Sequence, residues 1–267
     1  MVAAALLTIG GTLPPSAKAA NLYWDNDANS ANNNTTTGAG LGGAGAWGST
    51  DLKWFDGAND VAWTDANKDT AIFMGTGGSV TLGSGFTVGG LVFTGVTSGA
   101  FSLDGSTLTL AAPTGATTPT VSVNTGVRAT ISSLVAGVSG LTKTGNGTLV
   151  LSNNGNTFTG DIAIRGGNLV VTNAGQLGLG TSAIGILGYG NTGNPGFSGG
   201  SLIIQGAISS PMTGLTIARE ISGSGRGPGA ANAAGAIMSI GNNTFTGGIT
   251  LGNGNEARLF ASSGITT

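Results

Sequence analysis

Oxygen-bearing side chains at alternate positions are the first features of this chain that could carry chemistry. Asp25, Asp27 and Asn29 have the i, i+2, i+4 spacing of a calcium-binding loop, and the segment from Asp65 to Asp69 repeats it. Neither segment continues with the central glycine and the closing glutamate of an EF-hand loop. Acidic and amide side chains are also ordinary turn residues, so the sequence favours solvated turns over a metal site here.

Pairs of carboxylates could support glycoside hydrolysis. Asp104 and Asp161 would lie about three strand spacings apart in a stacked β structure, roughly 14 Å, which is too far for a hydrolytic pair. Asp51, Asp56 and Asp60 could approach one another, but no signature requires it. The chain has no histidine and no cysteine, which excludes imidazole bases, the usual serine triad and thiolate metal sites. The sequence predicts no catalytic residue, no cofactor and no metal.

Residues 21–70 hold all four tryptophans and seven of the eleven acidic residues. One interpretation is a glycan-binding face with Trp47 and Trp54 as contacts, because aromatic rings stack on sugars and carboxylates accept hydroxyl protons. The other is an N-terminal cap, in which large aromatic side chains cover the first open end of a stacked fold. The cap is the favoured interpretation.

The composition indicates an all-β protein with many tight turns. Charged residues make up 7% of the chain, against about 25% in ordinary globular domains. The 52 glycines are not spaced at every third position, which excludes collagen, and a net charge of −2 with many β-branched residues argues against disorder. Short alternating apolar runs separated by glycine clusters remain, and these are typical of strands and turns.

Residues 1–20 resemble an export signal. An apolar stretch runs from Val2 to Leu13, and the small-residue pattern around Ala19 would suit cleavage after Ala19 or Ala20. The nine basic residues are scattered singly, so no nucleic-acid footprint is visible. No later apolar run is long enough to span a bilayer, so we expect no transmembrane segment in the mature chain.

An internal repeat is visible in the middle of the chain. When the segment beginning at Gly140 is aligned with that beginning at Gly160, glycines, an apolar triplet and an asparagine coincide. The repeat residues that we single out are Gly140, Leu141, Lys143, Gly147, Leu149, Leu151, Asn153, Phe158, Gly160, Gly167, Leu169, Val171 and Asn173.

The same period continues upstream with looser identity and suggests two series of strands. The first predicted series contains the strands that begin at Val80, Phe101, Val121 and Leu141, and the second contains those that begin at Leu108, Ala129, Leu149 and Leu169.

These patterns predict a right-handed parallel β-helix with about 20 residues per coil. Leu149 should then lie directly over Leu169, glycines should occupy the corners, and Asn153 and Asn173 should belong to an asparagine ladder. A β-sandwich is the alternative, since its strands also recur at short and regular intervals, but it has no reason to keep one constant register between repeats.

The segment from Gly140 to Gly167 resembles the autotransporter-associated β-strand repeat, also called the passenger-associated transport repeat. The resemblance rests on Gly140-Leu141-Thr142-Lys143, then Gly147-Thr148-Leu149-Val150-Leu151-Ser152, then Asn156-Thr157-Phe158-Thr159-Gly160 and Gly166-Gly167-Asn168-Leu169. A degenerate second copy contains Asn243-Thr244-Phe245-Thr246-Gly247.

The resemblance implies a β-helical passenger region of a large exported bacterial protein, in which such repeats help the passenger to fold and move outward. We therefore predict a signal peptide at 1–20, an aromatic and acidic cap at 21–70, and a β-helix passenger region at 71–267 that is truncated at its C-terminal end. The predicted function is a non-enzymatic structural stalk at the cell surface, associated with the outer membrane, that supports display or adhesion. Its expected partners are neighbouring coils of the same longer polypeptide, with glycans or other surface proteins as further candidates. The alternative function is a polysaccharide-binding or polysaccharide-degrading β-helix.

Overall fold

A computed structural model describes residues 19–179 continuously, and beyond them the segments 184–186, 199–205, 220–221, 237–240, 243–244, 250–251, 259–261 and 265–266. The described chain is all-β, and its helical content is limited there to three short 3-10 helices at Ser30–Asn32, Asp65–Asn67 and Ala174–Leu177. Phe245 and Gly247 of the second repeat copy lie outside the described residues, as do residues 1–18 of the predicted signal peptide.

The strands are short and closely spaced, as the alternation of apolar residues and glycine clusters predicts. The first thirteen are β1 (Asn21–Trp24), β2 (Gly45–Trp47), β3 (Trp54–Phe55), β4 (Asp60–Val61), β5 (Thr70–Thr76), β6 (Ser79–Leu82), β7 (Phe86–Val88), β8 (Gly90–Ser98), β9 (Phe101–Gly105), β10 (Leu108–Leu110), β11 (Thr120–Val123), β12 (Arg128–Ile131) and β13 (Val135–Ala136). The others are β14 (Leu141–Thr144), β15 (Thr148–Leu151), β16 (Ile162–Ile164), β17 (Gly166–Val171), β18 (Ile184–Ile186), β19 (Gly199–Gln205), β20 (Glu220–Ile221), β21 (Ile237–Ile240), β22 (Asn243–Thr244), β23 (Thr250–Leu251), β24 (Leu259–Ala261) and β25 (Ile265–Thr266).

Two long sheets and one short sheet contain most of these strands. Sheet 1 has the order β18-β16-β14-β11-β8-β5-β1-β3-β4, sheet 2 the order β2-β6-β9-β12-β15-β17-β19-β21-β24, and sheet 3 the order β13-β10-β7. The pairs β20-β23 and β22-β25 form two small sheets. Pairing is parallel except where β3 joins β1 and where β4 joins β3. From β5 to β19, consecutive strands lie in different sheets, so each parallel pair joins segments that are far apart in sequence.

The register of sheet 2 matches the predicted repeat from Ala129 onward. Ala129 pairs with Leu149, and Leu149 pairs with Leu169, so that these side chains lie one above the other. All three are fully buried. A β-sandwich would have antiparallel sheets, so the parallel pairing excludes that alternative.

Both predicted strand series combine strands of different sheets in their upstream part: the first series joins two strands of sheet 2 to two of sheet 1, and the second begins with one strand of sheet 3. The strands at Val80 and Phe101 belong to sheet 2 with Ala129, whereas the strand at Val121 belongs to sheet 1, and the strand at Leu108 lies in sheet 3. The physical reason is that extra residues lie between successive strands of one sheet, so that one level of the stack is longer than one repeat. Phe101 pairs with Ala129, more than one repeat length further on, because β10 and the loop before β11 lie between them. A constant repeat length therefore assigns these strands to the wrong sheets.

Two glycines of the repeat lie where strands begin and adopt left-handed backbone conformations: Gly140 immediately precedes β14, and Gly167 is the second residue of β17. Gly140 has φ +73° and Gly167 has φ +62°. A methyl group on Gly167 would collide with the carbonyl oxygen of Gly147 on the preceding level, and one on Gly140 would collide with the carbonyl oxygen of Asp161. These glycines are thus required both by the conformation and by the close approach of neighbouring levels.

The buried side chains that stack in register should provide the stability of sheet 2. We call these stacked side chains the inner columns. Replacing Leu149 with alanine should lower the free energy of unfolding by about 2–5 kcal/mol, because a fully buried leucine leaves a cavity between two levels. The adjacent Val150 is half-buried on the opposite face of the same strand, and Val150→Ala should cost less than about 1 kcal/mol. Urea denaturation followed by far-ultraviolet circular dichroism measures both, and equal losses would contradict the inward orientation of Leu149.

Candidate functional site

Lys143 is the one charged side chain of the matched repeat that the structure places inside the sheets. In sheet 1 it lies between Val121 on one side and Ile164 on the other, within a column of apolar residues. It is 0% exposed. The alkyl stem therefore fills an apolar position, as long cationic side chains commonly do.

Three main-chain carbonyl oxygens surround the ammonium group of Lys143. Nζ donates to the oxygens of Thr144 at 2.7 Å, Gly145 at 2.8 Å and Gly166 at 3.0 Å. Thr144 and Gly145 lie where the chain leaves β14, and Gly166 begins β17 on the next repeat. One side chain thus joins the turns of two successive repeats. We call Lys143 and these three carbonyl groups the lysine cradle.

Two opposing effects act on the charge of Lys143. Burial lowers the pKa of the lysine to about 7, because the interior solvates the ammonium poorly. Three acceptors, however, require three N–H donors, and only the protonated amine has three. All three hydrogen bonds can therefore form only in the ammonium form, which the folded chain holds below a pH of about 7.

A second polar side chain is buried on the other side of the repeat. Asn156 is 1% exposed, its Oδ1 accepts from the backbone N–H of Val135 at 2.8 Å, and its Nδ2 donates to the backbone oxygen of Gln176 at 2.8 Å. The side chain bridges the segment before it and the segment after it, each about one repeat away. The sequence identifies Asn156 only as part of a motif, and its position in that motif before the buried Phe158 is the signal that points to its burial.

The predicted asparagine ladder has a different structure. Asn153 and Asn173 each accept a hydrogen bond from the N–H of the glycine two residues on, Gly155 and Gly175, at 2.9 Å. Nδ2 of Asn153 donates to the backbone oxygen of Ser132 at 2.9 Å. Both side chains therefore close local turns, and Asn153 also bonds to the backbone of the preceding level.

The four tryptophans form one buried cluster. Trp47 and Trp54 are both 0% exposed, their ring centroids are 4.6 Å apart, and Trp47 stacks on Phe86 at 4.6 Å. A ring with no exposed face cannot stack on a sugar, so the structure contradicts a glycan contact through these two residues.

The acidic residues that suggested chemistry have structural partners. Asp65 Oδ1 accepts from Trp63 Nε1 at 3.1 Å and from the N–H of Thr87 at 2.9 Å, and Asp69 Oδ1 accepts from the N–H of Ala20 at 2.7 Å. A hydrogen bond from Ser79 lowers the pKa of Asp104. In the parts of the chain that the structure describes, no group of three or more His, Cys, Asp or Glu side chains could hold a metal ion. No helix in those parts is long and apolar enough to cross a membrane.

Comparison with known proteins identifies the family to which this repeat belongs. The family model described as passenger-associated transport repeat matches residues 141–171, from the strand that carries Lys143 to the end of β17. The chain carries a passenger-associated transport repeat. No solved structure matches the chain significantly.

A curated relative extends the similarity beyond the repeat. The Adhesin BmaC autotransporter of Brucella suis biovar 1 (strain 1330) is 36% identical to this chain over 270 residues, which cover 96% of the chain. The chain spans about 7% of the length of that relative. The similarity therefore includes the tryptophan-rich segment as well as the passenger-associated transport repeat.

Burial of Lys143 should make stability depend on pH. Because the folded pKa of Lys143 is about 7 and the unfolded value is 10.5, the unfolded chain binds more protons between these values, and stability should rise with pH across that window. This lysine should contribute a slope of up to about 1.4 kcal/mol per pH unit. Urea denaturation at a series of pH values should show the slope in the natural chain and lose it in Lys143→Met.

Lys53→Met is the matched control, because Lys53 is only partly buried and lies in the tryptophan-rich segment. It should leave the slope unchanged. If Lys143→Met retains the slope of the natural chain, Lys143 does not titrate in this window.

Proposed function

We propose that this chain is a passenger segment of an exported bacterial surface protein, and that it winds as a right-handed parallel β-helix. The observation that carries the proposal is the in-register stacking of β12, β15 and β17, because each buried side chain there is covered by the next level. The right hand is the general preference of parallel crossover connections. The coil length is about 20 residues in the matched repeat and longer where loops are inserted.

A stack of this kind suits a stalk. Each level contacts only its neighbours, so the structure can be extended by adding levels, each about 4.8 Å from the last. The outward positions of sheet 2 carry residues such as Ser102, Thr130 and Thr148, and the chain has few charges. The stalk thus presents a nearly neutral surface, and its role is to hold other regions away from the cell.

Residues 21–70 act as the N-terminal cap of the stalk. The tryptophan cluster packs on Phe73 of β5, with the Trp54 and Phe73 ring centroids 5.7 Å apart, and so covers the first levels of the core. Strands β3 and β4 run antiparallel at the end of sheet 1 and leave only a two-residue edge. A short edge strand protects a sheet against pairing with other chains.

Export and location follow from the same proposal. Residues 1–20 would direct secretion, and the passenger-associated transport repeat would help the chain to fold as it leaves the cell. The similarity to a protein named an autotransporter adhesin supports a location at the cell surface and a role in adhesion. A polysaccharide-binding function is less well supported, because its candidate rings, Trp47 and Trp54, are buried.

Surface display tests the proposal. The chain, with an epitope after residue 20, is joined to a translocating β-barrel in a Gram-negative host, and the epitope is detected on intact cells by flow cytometry. The natural chain should be displayed, and Leu169→Asp should reduce display about fivefold or more, because an unpaired charge in the inner column prevents folding outside the cell. Asn168→Asp makes a similar change at the adjacent, partly exposed position and should display normally.

Equal display of Leu169→Asp and the natural chain would contradict the proposal that stacking supports passage outward. Binding of the purified chain to a glycan array, abolished by Trp54→Ala without loss of β structure, would instead support the polysaccharide-binding alternative.

A further inference from the structure

Three buried side-chain oxygens in the N-terminal segment receive no hydrogen bond. They are Oδ1 of Asp25, Oδ1 of Asn33 and Oδ1 of Asp60. The side chain of Asp25 is 0% exposed. A buried acceptor without a donor is costly, and a buried carboxylate without a counter-charge is more so. Three such oxygens in one place need a common explanation.

The three side chains belong to one cluster. Nδ2 of Asn33 donates to Oδ2 of Asp25 at 2.6 Å, which leaves the amide oxygen of Asn33 and the second oxygen of Asp25 without donors. Asp60 follows the same pattern, because its Oδ2 accepts from the N–H of Ser30 at 2.8 Å and its Oδ1 accepts nothing. Each of the three side chains thus makes a hydrogen bond and still has one oxygen that receives none.

The fold brings these residues together from distant positions. Strand β1 ends immediately before Asp25, and the 3-10 helix Ser30–Asn32 turns the chain back so that Asn33 meets Asp25. Pairing of β1 with β3 and of β3 with β4 places Asp60 two strands away from Tyr23, which precedes this end of β1. The cluster therefore ties the loop after β1 to the antiparallel edge of sheet 1.

Negative charge accumulates at this point. Burial raises the pKa of Asp25 to about 6, the hydrogen bond from Asn33 opposes the rise, and the neighbouring carboxylates of Asp27 and Asp60 add to it. The carboxylate of Asp27 is held by Asn29 N–H and Asn32 Nδ2, both at 3.0 Å. Nζ of Lys53 is directed to the side-chain oxygen of Asn26 and the carbonyl of Ala46.

We propose that Asp25, Asn33 and Asp60 bind a Ca²⁺ ion through these three oxygens. The donor set consists of two carboxylates and one amide oxygen, which suits a hard cation and excludes the softer metals that prefer nitrogen or sulfur. Only two of the three side chains are acidic, and the amide of Asn33 is the third donor. Water and main-chain oxygens complete the coordination sphere, which for Ca²⁺ contains six to eight oxygens. The carboxylate of Asp27 adds negative charge beside the ion.

Calcium would fasten the N-terminal segment. The ion would join the loop of residues 25–33 to β4, next to Trp24 of the buried tryptophan cluster. The cation would then stabilise the end of the stack from which the inner columns begin.

Calcium titration of the full chain tests the site. Isothermal calorimetry should show one binding event, and added Ca²⁺ should raise the unfolding temperature, since a ligand that binds only the folded state stabilises it. Asp60→Asn should weaken binding about tenfold or more, because a carboxylate ligand is replaced by a neutral amide. Asp56→Asn is the matched control: it removes one charge from the same hairpin, where Asp56 accepts only local backbone N–H groups, and it should bind like the natural chain.

Terbium luminescence gives a readout that does not depend on a variant that folds. Tb³⁺ resembles Ca²⁺, and its emission is sensitised by a nearby indole such as Trp24. The natural chain should sensitise Tb³⁺, and Ca²⁺ should displace it. Absence of both calcium heat and sensitised emission would overturn the proposal.

Discussion

A single strand of this protein cannot bury its own inner face, and the rest of the structure depends on how that face is covered. Leu149 has Ala129 on one side and Leu169 on the other, each in register and each buried. Parallel pairing at a spacing of about 4.8 Å holds the backbone, and the apolar columns provide the hydrophobic stabilisation. Stability is therefore a property of neighbouring levels, as in other repeat architectures.

The polar residues inside the stack limit which registers are compatible with burial. A slip in the pairing register of neighbouring strands would move the ammonium of Lys143 away from the three carbonyls of the lysine cradle. A buried charge would then be left without partners. The same slip would separate Asn156 from Val135 and Gln176. Apolar columns of leucine, isoleucine and valine tolerate such shifts more easily, because one aliphatic contact resembles another. The lysine cradle and Asn156 therefore contribute to specificity of the fold.

The sequence predicted the parts of the fold that depend on local pattern. The sequence alone shows the alternation around Leu149 and Leu169, the glycines at 140 and 167, and the aromatic character of the N-terminal segment. The position of Lys143 is not, because the alignment of Gly140 with Gly160 sets it against Ala163, whereas the structure pairs it with Ile164. A single extra residue between β14 and β16 changes the face of the partner, since side chains alternate along a strand.

Pairing between strands that are far apart in sequence explains the other differences between the predicted and the observed structure. The sequence pattern assigns the upstream strands to the wrong sheets because β7, β10 and β13 form a third sheet. No local pattern distinguishes this sheet from the other two. The tryptophan cluster depends on the antiparallel pairing of β3 with β1, which brings Trp54 beside Trp24, and the sequence shows only that the aromatics are present. The unsatisfied oxygens of Asp25, Asn33 and Asp60 depend likewise on strand pairing. The chemistry of single residues is therefore predictable here, whereas their encounters across the fold are not.

Disulfide cross-linking measures the register of neighbouring levels most directly, because the natural chain contains no cysteine. Thr130 and Val150 are paired on the partly exposed face of sheet 2. Thr130→Cys combined with Val150→Cys should form a disulfide under mild oxidation, since paired strands bring the Cα atoms within the range of about 4.4–6.8 Å that the bond requires. Thr130→Cys combined with Val170→Cys should remain reduced, because two levels separate these positions by roughly 9.6 Å. A disulfide in the second pair and none in the first would contradict the stacked, in-register arrangement.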